Sequence, residues 1–181
     1  MIRFRLPVLV LALVFLAGCG FHLRNRIALP SDLGPVRVVG ASTSYSALVT
    51  SLSRGLQAAG ATLAAPPGED AATAVDAQVA TLRIMSERWG DLPIAVDQFG
   101  RAQEFSLRYA VVFAFTKADG TDLVPQQVVE LSRDYVSPPQ DATGTTTERE
   151  VLAEELRREM AASILRRVDG VVRSSPVNAA P

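Results

Sequence analysis

The amino-acid sequence predicts an α+β two-layer sandwich: a four-stranded, mostly antiparallel sheet with two helices packed on one face. Three observations predict it. Phe105, Leu107, Tyr109, Val111, Phe113 and Phe115 alternate strictly along the chain, the period of a strand with one buried side. Two other segments, around Leu52 and around Met160, carry apolar residues at spacings of three and four, the period of an amphipathic helix. The order of these patterns, strand, helix, three strands, helix, gives one sheet and two helices to cover it, without an internal repeat.

Taken in order, "RIALPSDLGP" reads as an extended tether, because Pro30 and Pro35 bias their predecessors away from helix and Gly34 punctuates between them. "VRVVG", Val36 to Gly40, is a short β-branched strand closed by glycine. A helix follows, with N-cap candidates at Ser42 to Ser44. Its apolar stripe is Tyr45, Leu48, Val49, Leu52 and Leu56, and Gly60 sits at the C′ position. "LAAPPGEDAAT" is a loop marked by Pro66, Pro67 and Gly68. Ala74 to Trp89 reads as the second strand. Its alternation changes phase, which points to a bulge near Ala80 or to burial on both faces. "WGDLPIAVDQFG" reads as the loop after it.

The third strand turns its aromatic side to the core and Glu104, Ser106, Arg108 and Thr116 the other way. Asp119-Gly120 is a hairpin signal, and a fourth strand with Val129, Leu131 and Tyr135 on one side pairs back onto the third. Pro138 and Pro139 end it. The last helix is expected to open with a capping box of Thr147 and Glu150 and to carry ion pairs from Glu154 to Arg157 or Arg158. Its stripe is Leu152, Leu156, Met160, Ile164 and Val168, with Gly170 as its end. The organisation expected is a leader over 1–18, a tether over 19–35, one domain over 36–172 and a disordered tail over 173–181.

The N-terminus has its own chemistry. Arg3 and Arg5 precede the uncharged run "LPVLVLALVFLAG", the n-region and h-region of a secretory signal, too short for a spanning helix. Leu16-Ala17-Gly18-Cys19 follows the pattern of a bacterial lipobox. Such a cysteine becomes the acylated first residue of the mature chain, and several acyl chains at about 0.8 kcal/mol per buried methylene make release from a bilayer negligible. Cys19 is therefore the expected lipidation site. Gly20 after it, in place of the aspartate that retains lipoproteins at an inner membrane, points to the outer membrane.

Composition excludes several function classes. A net charge of −1 over 181 residues gives no electrostatic basis for nucleic-acid binding. With one cysteine there is no internal disulfide. The only histidine, His22, lies on the tether three residues after Cys19, a poor place for triad geometry. Zinc-ligand clusters and glycine-rich phosphate loops are absent from the sequence, so no catalytic residue, metal or cofactor is expected. Two further readings stay open: a stand-alone periplasm-facing lipoprotein binding a small hydrophobic ligand or cell-wall fragment, which needs a concave apolar pocket, and a lipid-anchored hydrolase, which needs acids such as Glu87 and Asp91 to converge in a cleft.

"CGFHLR" with Leu29-Pro30 behind it, the element order, and "SRDYVSPPQ" before the last helix together resemble the LPS-assembly lipoprotein family, LptE. The likeness runs over the whole mature chain, with Asn25 standing where the family often has glycine. It implies a non-enzymatic lipoprotein on the periplasmic side of the outer membrane, seated as a plug in the β-barrel LptD, the pair delivering lipopolysaccharide to the cell surface. Lipopolysaccharide carries phosphates, which guanidinium groups match bidentately. The candidates by this resemblance are Arg88 and Arg101, flanking "WGDLPIAVDQFG", with Arg83, Arg108 and Lys117 beyond them. The family's basic residue before the final helix has no counterpart between Ser137 and Thr147. Trp89, the only tryptophan, is expected to take a core or hairpin-packing role, the alternative being contact with an acyl chain or a barrel wall.

Overall fold

The computed structural model describes residues 27, 29, 33–41, 46–65, 79–137 and 142–174. Cys19, the leader and most of the tether lie outside them, as do Ser42 to Ser44, residues 74–78 and residues 175–181. The elements are β1 (Val36–Val39), α1 (Ala47–Ala58), β2 (Ala80–Val96), β3 (Ala102–Thr116), β4 (Asp122–Val136) and α2 (Ala142–Ser174). They form one sheet in the order β1-β2-β3-β4. β1 runs parallel to β2, with α1 in the crossover that parallel neighbours require, and the other pairs are antiparallel. The expected fold class is the one observed.

Local chemistry accounts for most of the boundaries. Ser46 caps α1, its Oγ accepting from the Val49 N–H at 3.2 Å. Gly60, at φ 96°, takes the left-handed position past the helix end. There the Ala61 N–H reaches back to the Leu56 carbonyl at 3.0 Å. Both hairpins use one turn design. Asp97 Oδ1 accepts from the Phe99 and Arg101 N–H groups on either side of Gly100, and Asp119 Oδ1 accepts from the Thr121 N–H beside Gly120. The two glycines have φ of 75° and 84°, which glycine alone adopts without strain.

The core lies between the sheet and the helices. Leu107, Tyr109, Val111, Phe113 and Phe115 of β3 are fully buried, as expected from their alternation, against Leu48, Leu52 and Leu56 of α1 and Leu156, Met160, Ile164 and Val168 of α2. Fully burying such side chains contributes about 1.5–3 kcal/mol each. Length also fits: α2 has 33 residues and β3 has 15, and at about 1.5 and 3.3 Å per residue each spans roughly 50 Å. Helical ion pairs join Glu154 to Arg157 at 3.3 Å and to Arg158 at 3.8 Å.

Three sequence expectations are corrected. The segment after Trp89 is strand through Val96, and the β2–β3 turn begins only at Asp97. The ladder with β3 supplies hydrogen bonds that outweigh the local signals of Gly90 and Pro93. β2 is irregular at Met85, between Ile84 and Ser86, and again on either side of Ala95, while Ala80, Leu82 and Ile84 share one buried phase. Finally, α2 begins at Ala142, which places Thr147 and Glu150 inside it, and it runs through Gly170 to Ser174. Val172, 1% exposed, continues the stripe past Val168, and its burial exceeds the roughly 1 kcal/mol that an internal helix glycine costs.

Candidate functional site

Because both helices lie on one side, the opposite face of the sheet is bare. Register determines what stands on it. On β2 this face carries Arg83, opposite Ala114, and Arg88, opposite Ala110. On β3 it carries Arg108, opposite Gly90 on one side and Ser132 on the other. Arg88 and Arg108 are thus diagonal neighbours, with Cα atoms about 7–8 Å apart. All three arginines are exposed, and the half-buried Ala110, Val112 and Ala114 form a low aliphatic floor beside them. Among the described residues Arg83 and Arg88 have no ion pair. Arg108 meets Glu130 at 3.6 Å, with both side chains more than half exposed, a geometry of little energetic weight. The β4 side of the same face carries Glu130 and Asp134, so charge is graded across the sheet.

Arg101 and Lys117 are not part of this cluster. They sit in the turns at opposite ends of β3, roughly 50 Å apart along the strand, beyond the reach of a single phosphate. Arg101 is also bound to Asp97, Nε to Oδ2 at 2.7 Å, and lies over the Phe99 ring at 5.2 Å. The Arg101 backbone N–H, with the guanidinium adding to it, holds the Asp97 carboxyl below the usual carboxylate range.

The helix-covered face is pinned by polar contacts that sequence reading missed. The Tyr109 hydroxyl donates to Glu87 Oε1 at 2.8 Å, and burial, with that bond adding to it, pushes the phenol far above its ordinary value. Trp89 stacks on Tyr109 with ring centroids 3.8 Å apart, and Arg157 lies over its ring at 5.2 Å, so the tryptophan is packed within the sandwich as expected. Asp91 accepts from the Tyr135 hydroxyl at 3.0 Å and from Arg149, which holds its carboxyl below the usual range. Glu87 and Asp91 therefore share a face of β2, but each is committed to a structural partner. The cation nearest the start of α2, Arg149, is likewise taken up inside the fold.

Two modest clefts are lined by described residues. One of about 220 Å³ is lined by Glu104, Asp134, Tyr135, Val136 and Glu148, three of them acidic. Another of about 440 Å³ lies where Leu29 and Leu33 meet the end of α1 at Gly60. Among the described residues no group of three or more metal-ligating side chains converges, and no helix is long and apolar enough to cross a membrane.

A single sheet covered by helices on one side, with an arginine-bearing face left open on the other, defines a two-layer α+β domain. The chain belongs to the LptE family: the model described as LptE, lipopolysaccharide-assembly, matches residues 33–168. It is 27% identical over 168 residues to the LPS-assembly lipoprotein LptE of Photorhabdus laumondii, covering 92% of this chain and 86% of that one. It is 30% identical to that of Yersinia pestis, covering 92% and 76%. Among solved structures it is similar in fold to a lipoprotein B from Nitrosomonas europaea, with a TM-score of 0.66 at 19% identity over 88% of this chain and 96% of that one. The rare lipoprotein B from Shewanella oneidensis matches with a TM-score of 0.58 at 22% identity over 80% and 98%.

Proposed function

We propose that this chain is an outer-membrane lipoprotein, acylated at Cys19 and facing the periplasm, whose domain over residues 36–172 plugs an LptD-type β-barrel and assists delivery of lipopolysaccharide to the cell surface. The observation that carries this reading is the bare sheet face, where Arg88 and Arg108 stand as neighbours with Arg83 farther along β2. Two arginines on diagonal neighbouring positions, with Cα atoms about 7–8 Å apart, have side chains long enough to reach one phosphate, and the aliphatic floor of Ala110, Val112 and Ala114 suits the acyl side of the same amphiphile. Arg101 and Lys117, at the two strand ends, have no part in that contact. A large outer-membrane barrel has a polar interior, and a plug must present a wet exterior around a dry core. The charged outer side of α2 and the graded charge of the open face do so. The role requires binding and fit and no bond-making chemistry.

The test is a detergent pull-down of the full chain through a C-terminal tag, with the bound proteins identified and the bait weighed by mass spectrometry. Recovery of a large β-barrel, together with a diacylglyceryl mass increment on Cys19, supports the reading. A bait that comes down alone, or with an unmodified thiol, removes it.

A further inference from the structure

Among the described residues, nothing closes one edge of the sheet. β1 accompanies β2 only from Ala80 to Arg83, so from Ile84 to Val96 the described partners of the strand lie on the β3 side alone. Each such residue pair leaves backbone N–H and C=O groups pointing outward, a template for another strand. The other edge, β4, is treated differently. Arg167 Nη1 donates to the Val128 carbonyl at 3.2 Å and Arg133 Nη1 to the Ser132 carbonyl at 3.0 Å, which caps that edge with side chains. Among the described residues no side chain donates to a carbonyl between Ile84 and Val96. The open run has defined ends: the irregularity at Met85 precedes it and Pro93, which lacks an N–H, follows it.

The geometry points to the β2 edge from Ser86 to Leu92 as a strand-addition site for an extended segment of a partner protein that carries an acidic side chain opposite Arg88. Charge determines the choice. Arg88 is exposed, faces the bare side and has no ion pair among the described residues, whereas the acids beside it on the helix side, Glu87 and Asp91, are bound to Tyr109 and Arg149. An incoming strand therefore meets a cation on the bare side and Trp89 on the other, and fits best with alternating acidic and apolar residues. A second copy fits worse. Antiparallel pairing of two β2 edges sets like charges near each other, and a β4 edge arrives with the Val128 and Ser132 carbonyls already taken by side chains. A barrel wall has no unpaired edge to offer, so the segment is a loop, a linker or a terminal arm. This inference does not rest on the plug reading.

The test uses the full chain and two blocked peptides, Thr-Val-Glu-Val-Thr-Val and its lysine counterpart Thr-Val-Lys-Val-Thr-Val, followed by amide hydrogen exchange and NMR titration. The glutamate peptide is expected to protect alternate amides between Ser86 and Leu92 and to bind roughly three- to tenfold tighter than the lysine peptide. Arg88→Glu should reverse that preference, which separates recognition from any loss of folding. Equal binding of both peptides, protection on β4 instead, or concentration-dependent self-association through β2 in sedimentation would each overturn the proposal.

Discussion

Asp91 and Arg149, 58 residues apart in the chain, meet through two parallel hydrogen bonds, Nε to Oδ1 at 3.0 Å and Nη2 to Oδ2 at 2.9 Å. The Tyr135 hydroxyl completes the set on Oδ1 at 3.0 Å. One carboxylate on β2 thereby ties the first turns of α2 to the far end of the sheet, where β1 and α1 do not reach.

Asp91→Asn should lower stability at neutral pH by roughly 1 kcal/mol, the bidentate geometry raising and partial exposure lowering the value. Because the folded carboxyl titrates below its unfolded range, its contribution is complete above about pH 4 and fades as pH falls through the depressed value. Urea titrations of both proteins at pH 7 and pH 2.5 should show a gap at the first pH that narrows at the second.

Tyr109 joins a ring stack to a buried hydrogen bond, and two substitutions separate them. Tyr109→Phe keeps the stack on Trp89 and should cost about 1 kcal/mol, while Tyr109→Leu loses the stack too and should cost roughly 1 kcal/mol more. Trp89 is the only tryptophan, so its fluorescence follows unfolding and reports the stack directly.

Gly55 on α1 packs against the side chain of Leu165 on α2. A Cβ there would overlap Leu165 of α2, whose side chain is 6% exposed. Gly55→Val should destabilise by about 1–3 kcal/mol, and adding Leu165→Ala should recover part of that loss instead of compounding it. Thermal unfolding of the two single variants and the double variant measures the coupling.

For the open face, Arg88→Glu with Arg108→Glu should weaken lipopolysaccharide binding about tenfold or more with thermal stability unchanged, and should flatten its salt dependence. Arg101→Glu should leave affinity as it is. Calorimetric titration of purified lipopolysaccharide checks both. An equal loss from Arg101→Glu would mean that bulk charge, and not the open face, holds the ligand.

Much of this was written locally. The alternation of β3 reveals a strand because a period of two residues on one segment needs no partner to be seen, and the stripes of α1 and α2 reveal helices for the same reason. Cys19 and its small neighbours carry their meaning in four consecutive residues. The far half of β2 was hidden, since "WGDLPIAV" has the glycine and proline of a loop and becomes strand only by hydrogen bonding to β3. The threonine-rich start of α2 was hidden as well. Its early residues have weak helix propensity, and the turns that follow are tied down by the pairing of Arg149 with Asp91, on a strand far away in sequence.

What the chain determined alone was the set of elements, their order and the lipid-attachment motif, because propensity, periodicity and turn chemistry act over a few residues. Which cations stand together was decided only by the tertiary structure. Arg88 and Arg108 are 20 positions apart in sequence, and they become diagonal neighbours through the β2–β3 register and the irregularity at Met85. A shift of one residue in that register would turn one of them into the core, and the hairpin turn and the irregularity at Met85 set it together.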